Sequence, residues 1–417
     1  MMAAMMCTLR SLLLLSAAAA GCCPAAEEAL RAGAARLEIT PAPEAALPMS
    51  GYASRTEGFK KIRDPLFVRA LVLDDSRRQA AIVVADLIGL PHAAADRLAE
   101  RIERETGIPR DHVLAAGTHT HAAPQPQNAA YMSWVEDRAL EAVRRARAAL
   151  EPVRVGFGTG RANVNVNRVA RMADGGWWLG VNPDGISDKT VAVVKFESLS
   201  ARPVAVFSNF AVHGTVMGPR NYQVSGDLPG AAARFVERHY GEQAVALWTS
   251  GAAGDQNPIY GPGDDFSRVD ALGMILGEEI VRVAEAVRSS PAGPLRAARK
   301  TLRCPGRRLA EGSKPRDPSP QFVDADPVEI RLSLLRIGEI ALAGVSGEVL
   351  TRIGQRLKDE SPLPATVMVT HANGSSGYLP DEASFQRISY EITTARVKPG
   401  CAEQAIVGGL LEMIGPR

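Results

Sequence analysis

The sequence predicts an α/β fold of mixed β-sheets with flanking helices and a ligand site at the carboxyl ends of strands. Two observations carry this expectation. Apolar runs of strand length alternate with amphipathic stretches of helix length over most of the chain. Several of those runs end in turns rich in glycine or histidine, the place where open α/β sheets bind their ligands.

Taken in order, "QAAIVVADLIGL" (79–90) is a strand, and "PHAAADRLAERIERETG" (91–107) is a helix with Pro91 near its start, where the missing N–H costs nothing. "HVLAAGTHTH" (112–121) is the next strand, so the three make a βαβ unit. A helix through "WVEDRALEAVRRARAALE" (134–151) and a strand "VRVGFGTG" (153–160) follow, and "ADGGWWLGV" (173–181) reads as a hairpin centred on Gly175 and Gly176. Adjacent Trp177 and Trp178 point opposite ways on such a strand, one into the core and one toward a cleft rim. Next come a strand "RPVAVFSNFAVHG" (202–214), a helix "DLPGAAARFVERHYG" (227–241), a strand "QAVALWTSG" (243–251) and a helix "RVDALGMILGEEIVRVAEAVRSS" (268–290). "CPGRRLAEGSKPRDPSPQFVDADPVE" (304–329), dense in proline and charge, is expected to be a long loop inside one domain, with a domain boundary as the weaker alternative. "EIALAGVSGEVLTRIGQRL" (339–357) closes the series as a strand whose end carries Glu348 at the start of a helix. No internal repeat is visible.

The first 23 residues read as an export leader, with Arg10 before "SLLLLSAAAA" and small residues after it. That run is too short to span a bilayer, and no later run is long enough. "AAGC" ending at Cys22 resembles a lipoprotein cleavage box with Ala19 in place of the usual leucine, so Cys22 is a candidate lipid anchor and ordinary leader cleavage an equal alternative. The expected location is periplasmic, secreted or membrane-anchored. Cys304 and Cys401 remain in the exported body, either bridged or as two unpaired thiols. Lys plus Arg number 48 against 46 Asp plus Glu, so no net field draws the chain to nucleic acid or an acidic surface. A small-molecule or lipid substrate of little charge is the expected partner.

His119 and His121 fall at the carboxyl end of one strand and His213 at the end of another. Residues i and i+2 of an extended segment point the same way, so both imidazoles of "HTH" reach one cleft. With Glu348 they make the histidine-plus-acid set of catalytic zinc. The small residues of "SGAAGDQNP" (250–258) let backbone amides approach a substrate. Each residue alone also has a structural reading: a hydrogen-bonded histidine, a helix-dipole charge for Glu348, a turn or helix cap for Asp227 and Asp255. For His92, His112 and His239 the structural reading is the expected one. Spacing by itself reaches a candidate metallohydrolase and no substrate.

"GTHTHAAP", "NFAVHGTVM", "SGDLPGAAARFVE", "GAAGDQNP", "SGEVLTRIGQRL" and "GYLPDEASFQRISYE" occur in the order seen in the neutral/alkaline ceramidases, and "ITPAPEAALPMSGYASR" and "IRDPLFVRALVLDD" resemble that family's start. The resemblance runs from about Ala35 to Glu391 and implies one ceramidase-like catalytic domain over residues 35–417. It implies Zn2+ held by His119, His213, Glu348 and Tyr378, with Tyr390 as a second active-site tyrosine twelve residues on, His121 as acid/base or orienting group, and Arg168 in the substrate pocket. The implied reaction is hydrolysis of a ceramide-like N-acyl amide. Because the chain stops at Arg417, a compact relative without the family's C-terminal immunoglobulin-like domain is expected.

One departure matters. Asn257 stands where ceramidases carry a serine tied to amide cleavage. An amide cannot act as an acyl-accepting nucleophile, although it can donate to an oxyanion. Metal-activated water is then the expected nucleophile. Two alternatives stay open at this stage: a metallohydrolase acting on a non-lipid amide, ester or sugar derivative, and an exported binding protein without turnover.

Overall fold

The computed structural model describes residues 29–241 and 244–416. The leader and Cys22 therefore lie outside the described residues. The fold is α/β with two large mixed sheets packed face to face and helices on both outer faces. In sheet order the larger runs Val245–Ser250, Pro203–Phe210, Thr190–Ser198, Glu151–Arg161, Arg31–Glu38, Phe67–Asp74, Gln79–Ala85, Val113–Gly117. Only the two outermost pairs are parallel. The smaller sheet orders Leu295–Leu309, Phe322–Ile337, Ile340–Val345 and Ala365–Val369, again with one parallel pair at an edge.

Burial on both faces explains the continuous apolar runs. In Gln79–Ala85 the side chains of Ala81, Val83 and Ala85 pack toward helices His92–Thr106 and Ala129–Ala148, while Ile82 and Val84 pack against the second sheet through Leu335, Leu342 and Val367. The second of these helices begins earlier than the apolar pattern suggests, at Ala129, because the Asn128 side chain accepts from Tyr131 N at 2.9 Å and caps it.

The chain passes three times through one topology: three antiparallel strands, a helix, a fourth strand parallel to the third, and a closing helix. The passes cover residues 31–148, 151–286 and 295–414. The sequence reading found no repeat. The repetition is one of strand order, and buried strands need only apolar side chains of suitable shape, so no residue pattern has to recur. In each pass the chain makes the same tight turn after the third strand: Leu87 N to Ala85 O (2.7 Å), Val212 N to Phe210 O (3.1 Å) and Gly347 N to Val345 O (3.0 Å). The connections from first to second strand, 39–66, 162–189 and 310–321, leave from the same end as these turns and wall the space above them.

Residues 304–329 are mostly not a loop. They belong to a long two-stranded ribbon, Leu295–Leu309 paired with Phe322–Ile337, and only 310–321 connect. The prolines are tolerated because Pro305 sits where the register shifts between Cys304 and Gly306. Cys304 is bonded to Cys401, closing a separation of 97 residues and tying this ribbon to the helix Ala402–Ile414. The unpaired-thiol alternative is thereby overturned. No helix among the described residues is long and apolar enough to cross a membrane.

Candidate active site

His119 and His121 follow the strand Val113–Gly117, but not in extended form. His119 has φ +63°, which turns the chain after its N–H bonds Leu87 O. The two imidazoles of "HTH" therefore converge through a left-handed turn at His119 and not through strand alternation. Thr120 instead makes an isolated bridge with Gly214, and His121 N bonds Gly214 O, which ties "HTH" to the turn carrying His213. A Cβ on Gly214 would lie 2.6 Å from His119 O, so only glycine allows that approach.

The three imidazoles offer nitrogens that all lie within 4.8 Å of one another. His119 Nε2 is 3.3 Å from His121 Nε2 and 3.6 Å from Glu348 Oε2, and His213 Nε2 is 3.2 Å from the same carboxylate oxygen. Glu348 stands in a two-residue strand, Glu348–Val349, paired in parallel with Tyr378–Leu379, so Glu348 and Tyr378 face each other in register. The helix starts only at Thr351, which removes the helix-dipole reading of Glu348.

Two of the histidines are held from behind. His119 Nδ1 lies 2.7 Å from Ile88 O, and His213 Nδ1 lies 2.8 and 3.0 Å from Ala253 O and Gln256 O. A carbonyl only accepts, so in both rings Nδ1 carries a proton, and Nε2 is the nitrogen turned toward the site. Burial, with Arg168 adding to it, pushes His213 down to about 3, so its ring is neutral. His119 Nε2, His213 Nε2 and Glu348 Oε2 thus converge on one point. That donor set fits a metal cation, and the carbonyls behind the rings are the support such ligands ordinarily have. His121 differs, because its Nδ1 is buried without a partner among the described residues.

Arg168 is the hub of the opposite wall. Its guanidinium donates to Glu391 Oε1 at 2.7 Å, Tyr378 Oη at 2.9 Å, His213 Nε2 at 3.2 Å and Asn257 Oδ1 at 3.4 Å. Taking up Oδ1 leaves the Asn257 amide N–H bonds unspent. Tyr390 packs edge-on against Tyr378 and Trp178, with ring centroids 5.7 and 5.8 Å apart, and burial raises the pKa of its hydroxyl, which stays protonated. The structure brings His119, His121, Arg168, His213, Asn257, Glu348, Tyr378 and Tyr390 to one place. It assigns a different task to "SGAAGDQNP", whose carbonyls orient His213 and whose Asp255 accepts from Thr351 and Asn167, anchoring the loop.

Residues missed in the sequence complete the site. Gly51 (φ +94°) lies against the His121 ring, where a Cβ would come within 2.3 Å of Nδ1. Tyr52 meets that ring edge-on at 5.2 Å, and Arg55 donates to His121 O at 2.6 Å. The only signal was the stretch "MSGYASR" itself. His371, which the sequence offered either as a cleft residue or as a structural one, stacks on His119 with centroids 3.8 Å apart. Above the donors opens a cavity of about 450 Å³ lined by Tyr52, His121, Arg168, Asn257, Tyr378 and Tyr390, with Leu179 and Val181 at its mouth. Of the histidines read as structural, His112 bonds Gln79 O and His239 pairs with Glu285, both away from the site.

Buried donors at strand carboxyl ends beneath a half-apolar cleft define the chain as an α/β protein built around a metal-fitting site. Comparisons carry the identification further. Residues 30–264 match the neutral/alkaline non-lysosomal ceramidase N-terminal family. Neutral ceramidase A of Dictyostelium discoideum is 27% identical over 249 residues, 52% of this chain and 34% of that protein. The neutral ceramidase of Pseudomonas aeruginosa is 27% identical over 255 residues, 55% of this chain and 37% of that protein. The crystal structure of the Pseudomonas aeruginosa neutral ceramidase superposes with a TM-score of 0.78 at 19% identity, covering 93% of this chain and 74% of that one. The chain belongs to the neutral/alkaline non-lysosomal ceramidase family, and the matched segments span about a third of the curated relatives' length.

Proposed function

We propose that the chain is an exported, zinc-dependent hydrolase that cleaves an N-acyl amide of a ceramide-like amphiphile with water, not serine, as the nucleophile. His119, His213, Glu348 and Tyr378 would hold the metal. The observation that carries this reading is the asymmetry among the histidines. Nδ1 of His119 and of His213 is spent on backbone carbonyls, as in metal-ligating histidines, whereas His121 Nδ1 has no such partner. His121 is therefore the histidine left to move protons.

Zinc, when bound, supplies a Lewis acid that polarises the carbonyl and lowers the pKa of a water toward neutrality. His121 is neutral, because burial and then its neighbouring imidazoles push it well below the usual range, and it takes the proton of the attacking water. It returns that proton to the leaving nitrogen as the C–N bond breaks. Tyr390 Oη, Arg168 and the free N–H bonds of Asn257 donate to the developing oxyanion. Leu179 and Val181, 38% and 58% exposed at the cleft mouth, offer an apolar path to an acyl chain. The disulfide and the leader together support an oxidising, extracytoplasmic location.

His119→Ala and His213→Ala are each expected to lose bound zinc, measured by elemental analysis of purified protein, and to lose hydrolysis across a panel of N-acyl sphingosine, short N-acyl amines and esters. Unchanged metal content in either variant would sink the site assignment. Full zinc occupancy in the parent without turnover on any of these, or on an N-acyl amphiphile carrying a negative charge, would favour a binding role instead.

A further inference from the structure

A second cavity, of about 500 Å³, adjoins the cleft on the far side of the Trp178–Tyr390 contact. Its walls come from two first-to-second-strand connections and the segment leading into Tyr390. The hairpin of the second pass contributes Trp177 and Trp178, the connection of the third contributes Arg316, and Arg387 and Ile388 stand just before Tyr390. The sequence reading expected one tryptophan in the core, yet both are half-buried and both line this cavity.

Three guanidiniums lie over the two indoles: Arg316 over Trp178 at 5.3 Å, Arg387 over Trp177 at 4.5 Å and Arg171 over Trp177 at 5.9 Å. No ion pair joins Arg171, Arg316 or Arg387 to a carboxylate among the described residues. The two carboxylates nearby are turned into their own loops, since Asp174 accepts from Gly176 N and Asp317 from Lys314 N and Ser313 Oγ. A guanidinium with its face on an indole keeps its N–H edge free, the arrangement that binds a carboxylate, sulfonate or phosphate while the ring packs on apolar surface.

We infer that this cavity receives the anionic headgroup of an amphiphile whose apolar chain runs along Trp178 toward the cleft. Resting on the hydrolase reading above, it narrows the substrate class to N-acyl amphiphiles carrying a negative charge. The test needs no turnover, so its failure is distinguishable from failure of that reading. Tryptophan fluorescence of the full protein is titrated with dodecyl phosphate below its micellar concentration, with dodecyl maltoside and with inorganic phosphate. Arg316→Gln and Arg387→Gln are each expected to weaken dodecyl phosphate about tenfold or more while leaving zinc content, thermal midpoint and dodecyl maltoside binding unchanged. Inorganic phosphate is expected to bind at least tenfold more weakly than dodecyl phosphate. Equal affinity of parent and variants for dodecyl phosphate overturns the inference. Inorganic phosphate binding as tightly as the amphiphile overturns it in favour of a free-anion site.

Discussion

His119 and His121 are two residues apart and both buried, yet their environments diverge. The first has its Nδ1 proton committed to Ile88 O and its ring stacked on His371 at an interplanar angle of 15°, while the second has Tyr52 and Gly51 against it and, among the described residues, no partner at Nδ1. Backbone strain marks the same spot, since His119, His371 and Asn373 all hold left-handed φ values near +60°. Tyr390 and Asn257 are the residues at which a water mechanism and a serine mechanism part. Tyr390→Phe removes a donor and no ligand, so kcat is expected to fall about tenfold or more with zinc content full. Asn257→Ser is expected to change turnover little. A fully active Tyr390→Phe, together with a large gain on N-acyl sphingosine in Asn257→Ser, would show the water mechanism to be wrong.

Helix Asp227–Tyr240 begins at a strained residue, because Asp227 has φ +51°. Its carboxylate accepts from Val216 N at 3.1 Å, Met217 N at 3.0 Å and Leu228 N at 2.7 Å, clamping the turn that follows His213. Burial pushes this carboxyl up to about 6, against the downward pull of those N–H groups. The unfolded value is about 3.9, so the native state binds the proton more tightly. The resulting stability is fully present below about pH 4 and is lost as pH rises through the folded value near 6. Urea unfolding of the parent and Asp227→Asn at pH 4, 5 and 7 is the check, the parent losing on the order of 1 to 3 kcal/mol relative to the non-titrating variant. Parallel stability curves would rule this out.

Across the whole molecule, the three passes divide the work of the site. The residue after the shared tight turn is His213 in the second pass and Glu348 in the third, both among the converging donors. In the first pass it is Ile88, whose carbonyl holds His119. Three copies of one turn therefore present a donor, a donor and a brace to the same point. The third pass is also the one stapled by the disulfide between Cys304, which is fully buried, and Cys401. Cross-linking over 97 residues removes chain entropy worth about 4 to 5 kcal/mol, of which about 2 to 4 is typically realised. The double variant Cys304→Ala/Cys401→Ala is expected to show that loss in denaturant unfolding at neutral pH, and a loss under about 0.5 kcal/mol would contradict it.

The βαβ unit from Gln79 to Gly117, the hairpin at Gly175 and the placing of His119, His121 and His213 at strand ends were legible in the sequence alone. Apolar runs buried on both faces and chemistry-bearing residues at strand ends leave their marks locally. What the sequence could not decide are relations between segments far apart in the chain. The ribbon through 304–329 forms because Leu295–Leu309 finds Phe322–Ile337 as its antiparallel partner, with Arg307 opposite Asp324 and Arg303 opposite Glu329 in register, a partnership no local pattern states. The tautomers of His119 and His213 depend on carbonyls of Ile88, Ala253 and Gln256. Tyr52, Gly51 and His371 matter through the ring each one touches. Residue types and their spacing determine which groups are present, but a lone pair, a stacked ring or an unspent guanidinium acquires its meaning from the neighbour that packing brings to it, and only the tertiary structure supplies that neighbour.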